Sequence, residues 1–195
     1  MTDGYGKKVN NAVKAVRQMY ADTSKLLQAC DDTIGKGTKL VWVNRVTHDF
    51  SGQLEGHERW MARSVFRYYK PRQLKPTANQ HVLVEGVAVI FVTSEPVDEP
   101  LFIVGQLEVE DGNLKSEDRW ALQKGLEDGW ALLKGFFDWI DTCVLDEVIH
   151  LPHPSHDNID DHNRIKSMKL IAVPLYQIQD ITDVQALMDR VRQSP

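Results

Sequence analysis

Val82-Leu-Val-Glu-Gly-Val-Ala-Val-Ile-Phe-Val-Thr93, joined by Ser94-Glu-Pro-Val-Asp-Glu-Pro100 to Leu101-Phe-Ile-Val-Gly-Gln-Leu-Glu-Val-Glu110, decides the fold class. Residues 82–93 are apolar on both faces for most of their length, as a central strand requires. The following run sets Gln106, Glu108 and Glu110 on one side and Ile103, Leu107 and Val109 on the other, so that strand is packed on one face and wet at one end. The connection is short, which predicts an antiparallel hairpin. Asp111-Gly112-Asn113 closes the second strand.

Working outward, residues 40–46 read as a strand, with Leu40, Trp42 and Val46 opposite Val41 and Val43. Residues 168–176 read as a final strand with Pro174 near its end. A long helix is predicted over 7–30, because Val9, Val13, Val16, Tyr20, Thr23, Leu27, Cys30 and Ile34 recur in steps of four and three. Gly35 and Gly37 supply its stop. A second helix is expected from about residue 57 to 69, ending before Pro71. A second long helix is expected over 116–145, capped by Ser116 and carrying a stripe from Leu122 to Cys143. Thr182 and Gln185 read as the capping box of a last helix docked through Val184, Leu187, Met188 and Val191. Together these elements predict a single α+β domain over residues 1–195. Its antiparallel sheet has about four to five strands, with two long helices and shorter helices packed on it. The narrow stripe of the first helix serves either packing within the monomer or pairing with its twin in a homodimer.

Hydrophobic residues at 42% and charged residues at 26% are ordinary for a soluble globular chain. The net charge of −5 argues against a nucleic-acid binder dominated by phosphate contacts. Cys30 and Cys143 form no disulfide framework, and both fall on apolar stripes, which predicts buried inert thiols in a reducing compartment. The first residues lack the apolar stretch of a signal peptide, and no apolar run reaches the roughly 18 residues of a membrane span. A cytoplasmic protein without membrane contact is expected.

Two clusters invite chemistry. His150, His153, His156, Asp157, Asp160, Asp161 and His162 offer imidazoles and carboxylates suited to a divalent transition metal. Pro152 and Pro154 oppose a helix there, no pair sits at the zincin spacing, and a turn is needed before the side chains converge on one ion. A polar surface loop is the ordinary account. The second cluster, Arg59, Arg63 and Arg67, follows a four-residue spacing, with Tyr68 and Tyr69 alongside and no acidic residue from 59 to 84. Guanidinium forks suit carboxylates and phosphates, so this stripe is the candidate surface for an acidic protein or anionic ligand. Asn44, Arg45, His48, Asp49, Ser51, His57, Glu58 and Arg59 include the parts of a Ser/His/Asp set without a nucleophile elbow. Gly35-Lys36-Gly37-Thr38 is no phosphate loop, since the chain there runs from helix to strand.

No catalytic motif survives, so the preferred expectation is a non-catalytic binding or regulatory module using Arg59, Arg63, Arg67, Tyr68 and Tyr69. The alternative is a metal-dependent enzyme or metal sensor centred on residues 150–162, with a metal-bound water as nucleophile.

Overall fold

In a computed structural model, residues 3–34, 38–40, 47–48, 64–71, 80–91, 99–111, 145–152 and 165–195 are described. Helix α1 (Asp3–Thr33) comes first. Seven strands follow: β1 (Thr38–Leu40), β2 (Thr47–His48), β3 (Ser64–Pro71), β4 (Gln80–Ile90), β5 (Leu101–Asp111), β6 (Ile149–Pro152) and β7 (Ile165–Pro174). A 3-10 turn (Leu175–Gln177) leads to helix α2 (Ile181–Gln193). The order across the sheet is β1-β3-β4-β5-β7-β6, with β2 also pairing to β3, and all pairs are antiparallel. The class is therefore α+β on an antiparallel sheet.

The β4–β5 ladder is the spine, running unbroken from Gln80 opposite Asp111 to Ile90 opposite Leu101. The alternation of side chains sorts this apolar ribbon into two faces. Val87, Val89, Phe102 and Val104 point to one face, joined there by Val65 and Tyr69 of β3 and by Ile171 and Val173 of β7. That face receives Leu27 and Cys30 of α1, Ile34 just after it, and Val184, Leu187, Met188 and Val191 of α2 in one core. Val84, Ala88, Leu101, Ile103, Leu170 and Ala172, on the opposite face, are buried as well. Both faces of the spine are thus covered, as its continuous apolar sequence predicts.

One row of the second face shows why glycine is needed. Tyr68, Gly86, Gly105 and Leu170 stand opposite one another across four strands. A Cβ on Gly86 would meet the Tyr68 ring at 3.1 Å, and one on Gly105 would meet the Lys169 carbonyl oxygen at the same 3.1 Å.

Three expectations are corrected. Residues 64–71 are strand β3, not the end of a helix from 57 to 69. Val65-Phe66-Arg67-Tyr68-Tyr69 is rich in β-branched and aromatic residues, and its period of two outweighs the four-residue spacing of the arginines. The capping box of α2 is built by Asp180 and Asp183, two residues before the expected pair. Asp180 accepts a 2.6 Å bond from the Thr182 amide, and Asp183 accepts from the amides of Gln179 and Asp180. Carboxylates suit the positive helix end better than hydroxyls do. Among the described residues the sheet has five strands of four or more residues, within the number expected, plus the short β1 and β2, but β3 and β6 take places in it that were expected to be helix and polar loop. Of the expected helix over 116–145, residues 116–144 lie outside the described residues, as do the strand residues 41–46.

Replacing Gly86 by valine should destabilise the fold by about 1–3 kcal/mol through overpacking against Tyr68. Urea denaturation checks this, and Gly86→Val combined with Tyr68→Ala should then cost less than the sum of the two single losses.

Candidate interaction surface

Helix α1 keeps one apolar stripe for its whole length, but its environment changes midway. At about 3.6 residues per turn, Tyr5, Val9, Val13, Val16, Tyr20, Thr23, Leu27, Cys30 and Ile34 fall on the same side. Thr23, Leu27, Cys30 and Ile34 are buried. Tyr20 meets Phe91, just past the end of β4, edge to face with ring centres 5.3 Å apart. From there toward the N-terminus the helix has left the core. Every residue from 5 to 15 is exposed, with Tyr5 at 76%, Val9 at 44% and Val13 at 51%. At 1.5 Å per residue, the arm before Met19 is roughly 24 Å long.

The same division appears in the charges. No acidic residue occurs from 4 to 21, while Lys7, Lys8, Lys14 and Arg17 do. Lys8 and Arg17 flank the apolar stripe on its two sides, and Lys7 and Lys14 lie behind it. The anchored half carries Asp22, Asp31 and Asp32.

The anchor itself is ionic. The Asp31 carboxylate accepts bonds from Arg67 Nε at 3.0 Å and from the Tyr69 hydroxyl at 2.9 Å, and it is ion-paired with the Arg67 guanidinium end. A carboxylate in the last turn of a helix faces the negative end of the dipole, and α1 has no basic residue in that turn. Arg67, only 7% exposed, supplies the compensating cation from the sheet. Burial alone would lower its pKa, and Asp31 more than offsets this, leaving it above the ordinary value. Burial pushes the Tyr69 hydroxyl well up, with Cys30 and Asp31 adding to the effect. Burial likewise pushes the Cys30 thiol up to about 12, with Asp31 again contributing. Cys30 is a buried, protonated thiol, as its place on the stripe predicts.

The sequence-predicted site residues are therefore dispersed. Arg67 and Tyr69 point into the core toward Asp31, and Tyr68 is buried on the other face of the sheet. Arg59 and Arg63 lie outside the described residues. Of the metal set, His150 stands on edge strand β6 opposite Lys169, with Nε2 at 2.6 Å from Ser194 Oγ. His153, His156, Asp157, Asp160, Asp161 and His162 lie outside the described residues, and among those described no three potential ligands gather.

His150 ends a polar row that continues through Lys169, Gln106 and Glu85 across three more strands. Arg192 clasps Glu85 with both ends of its guanidinium, at 2.7 and 2.8 Å, and Gln106 adds a bond at 3.2 Å. The Glu85 bonds hold the Arg192 pKa above its ordinary value. Lys169 donates to the Ser194 carbonyl oxygen. The row fastens the C-terminal end of α2 to the sheet and keeps its groups engaged with one another.

A groove of about 520 Å³ runs between the middle of α1 and residues 175–181. Met19, Leu26, Leu175, Ile178 and Ile181 give it an apolar lining. Asp22, Lys25 and Asp180 are its charged residues, a balance of two carboxylates to one ammonium. Sequence reading found the stripe of α1 and offered it for pairing with a twin, but did not separate the exposed arm from the anchored half. The acid-free interval over residues 4–21 was the available signal.

No protein-family model, curated protein or solved structure matches this chain. No helix among the described residues is long and apolar enough to cross a membrane.

Asp31→Ala should cost roughly 2–4 kcal/mol, somewhat under the ~3–5 of a fully buried broken pair. Arg67→Met in the Asp31→Ala background should restore part of it, as chemical denaturation will show. Alkaline stability has a definite sign. The unfolded chain loses the Cys30 and Tyr69 protons from their ordinary values of 9.0 and 10.0, while the folded chain holds them. Stability is therefore full below pH 9 and declines as pH rises toward 12. Cys30→Ala should flatten the first part of that decline in urea titrations at stepped pH.

Proposed function

We propose that this chain is a non-catalytic binding module that recognises an acidic protein surface through the N-terminal arm of α1. One observation carries the reading: a stripe buried in the core from Thr23 to Ile34 continues, unbroken and exposed, through Val13, Val9 and Tyr5. A free helix of this length is marginal in water, and its apolar face gains stability by being covered. Lys8 and Arg17 beside the stripe favour a cover bearing carboxylates and repel a basic one.

The surface thus differs from the one expected at Arg59, Arg63 and Arg67, although the chemistry of the partner is the same. A small anionic ligand at Arg67 has less support, because Asp31 already occupies that guanidinium. No observation among the described residues favours the metal-dependent alternative, since His150 alone of that set is described and it bonds Ser194.

A fluorescent amphipathic peptide with a leucine stripe flanked by glutamates is a suitable probe. It should bind the full chain with a Kd in the range of about 1–100 µM and lose at least tenfold in Val9→Lys/Val13→Lys or Lys8→Glu/Arg17→Glu. Raising salt should weaken it. Absence of binding, or binding indifferent to those substitutions, would remove the arm from the account. Stronger binding to anionic lipid vesicles than to the peptide would replace the protein partner with a membrane.

A further inference from the structure

The arm and the groove are complementary parts of one chain. The arm is apolar along one stripe and carries four cations, Lys7, Lys8, Lys14 and Arg17. The groove is apolar in its lining and carries a net negative charge from Asp22 and Asp180 against Lys25. Asp22 and Lys25 are ion-paired at 3.2 Å, and Asp22 also accepts from Gln18, so both residues are held at the groove mouth. Asp180 accepts from the Thr182 amide, which leaves its charge in place. The bonds from Gln18 and Lys25 lower the Asp22 pKa, and the bond from Thr182 lowers that of Asp180, so both are anionic at neutral pH.

The arm cannot reach the groove of its own chain. One wall of the groove is α1 itself, over residues 19–29, and the arm is the unbroken continuation of that helix. Folding back would require breaking α1, which is continuous from Asp3 to Thr33. A second copy meets no such obstacle. With two α1 helices side by side and antiparallel, each arm lies along the anchored half of the other helix. Each stripe is then turned toward the other chain's residues 175–181. A two-fold axis supplies the contact twice, which suits the roughly 1,200–2,000 Å² that stable interfaces bury. Pairing arm against arm alone would instead set eight cations together, an unfavourable arrangement.

We infer that this chain forms a two-fold homodimer in which the arm of α1 from each copy occupies the groove between α1 and residues 175–181 of the other. The inference rests on reading the arm as the docking element and names a second copy as the acid-rimmed surface it meets.

The test is a charge exchange on the full chain, followed by sedimentation equilibrium, with folding verified by circular dichroism. The unaltered chain should sediment at twice its monomer mass at about 100 µM, where a micromolar interface is filled. Lys8→Glu/Arg17→Glu should be monomeric, since the arm then loses its net positive charge and carries carboxylates on both sides of its stripe where it faces the acidic groove. Asp22→Lys should also be monomeric, since basic arms then face basic grooves. All three positions are exposed, so neither variant disturbs the core. Mixing the two variants should restore a dimer, because the carboxylates flanking one stripe then meet a basic groove and the cations flanking the other meet an acidic one. Failure of the mixture to pair while the unaltered chain is dimeric overturns the inference, as does a dimer that survives Lys8→Glu/Arg17→Glu. A chain monomeric at about 100 µM that still binds the acidic peptide overturns the inference alone. A monomer that binds no peptide overturns the proposed function as well.

Discussion

The bond of Asp31 to Arg67 and Tyr69 determines how the long first helix is held. It joins the last turn of α1 to the middle of β3, and the rest of α1 runs on from it toward the N-terminus as one continuous helix. The core contacts of Leu27, Cys30 and Ile34 set the depth of that helix on the sheet, and the Asp31 network sets its position along β3. Sheet length then decides the rest. The β4–β5 ladder ends at Ile90 and Leu101, and Tyr20 against Phe91 stands close to where the helix outruns it. The helix has 31 residues and the sheet supports about the last half of them, so the exposed arm is a consequence of mismatch between helix and strand lengths.

The mismatch explains the chemistry of the arm. A helix extension covered by nothing needs no apolar stripe, and here the stripe persists through Val13, Val9 and Tyr5. Its flanking charges change sign where its environment changes: acids predominate where the helix lies on the sheet, and cations where it leaves. At the other end of the sheet, Arg192 on Glu85 and Lys169 on the chain end fasten α2. The two helices are thus fixed at their C-terminal ends by ionic contacts. Between them and the turn at 175–181 lies an apolar groove with an acidic rim.

The sequence made some of this legible and hid the rest for specific reasons. The hairpin and the four docked residues of α2 could be read directly, because alternation and a helical stripe are local patterns. Strand β3 was hidden by Arg67. An arginine among aromatics reads as a solvated stripe until its carboxylate is found 36 residues earlier on another element, a distance no local pattern spans. Edge strand β6 was hidden in the same way, since His150 and Pro152 announce a polar loop while the pairing that makes a strand of them is with β7. The full stripe of α1 was visible, but which half of it the core would take depends on strand lengths in the folded sheet.

Hydrogen exchange across α1 tests the central claim most directly, that one helix is divided into an anchored and an offered half. Amides from 20 to 33 should be protected at every protein concentration. Amides from 5 to 16 should exchange quickly in dilute protein and become protected as concentration rises. Equal protection of both halves at high dilution would mean that the arm is covered within its own chain, and would contradict the account.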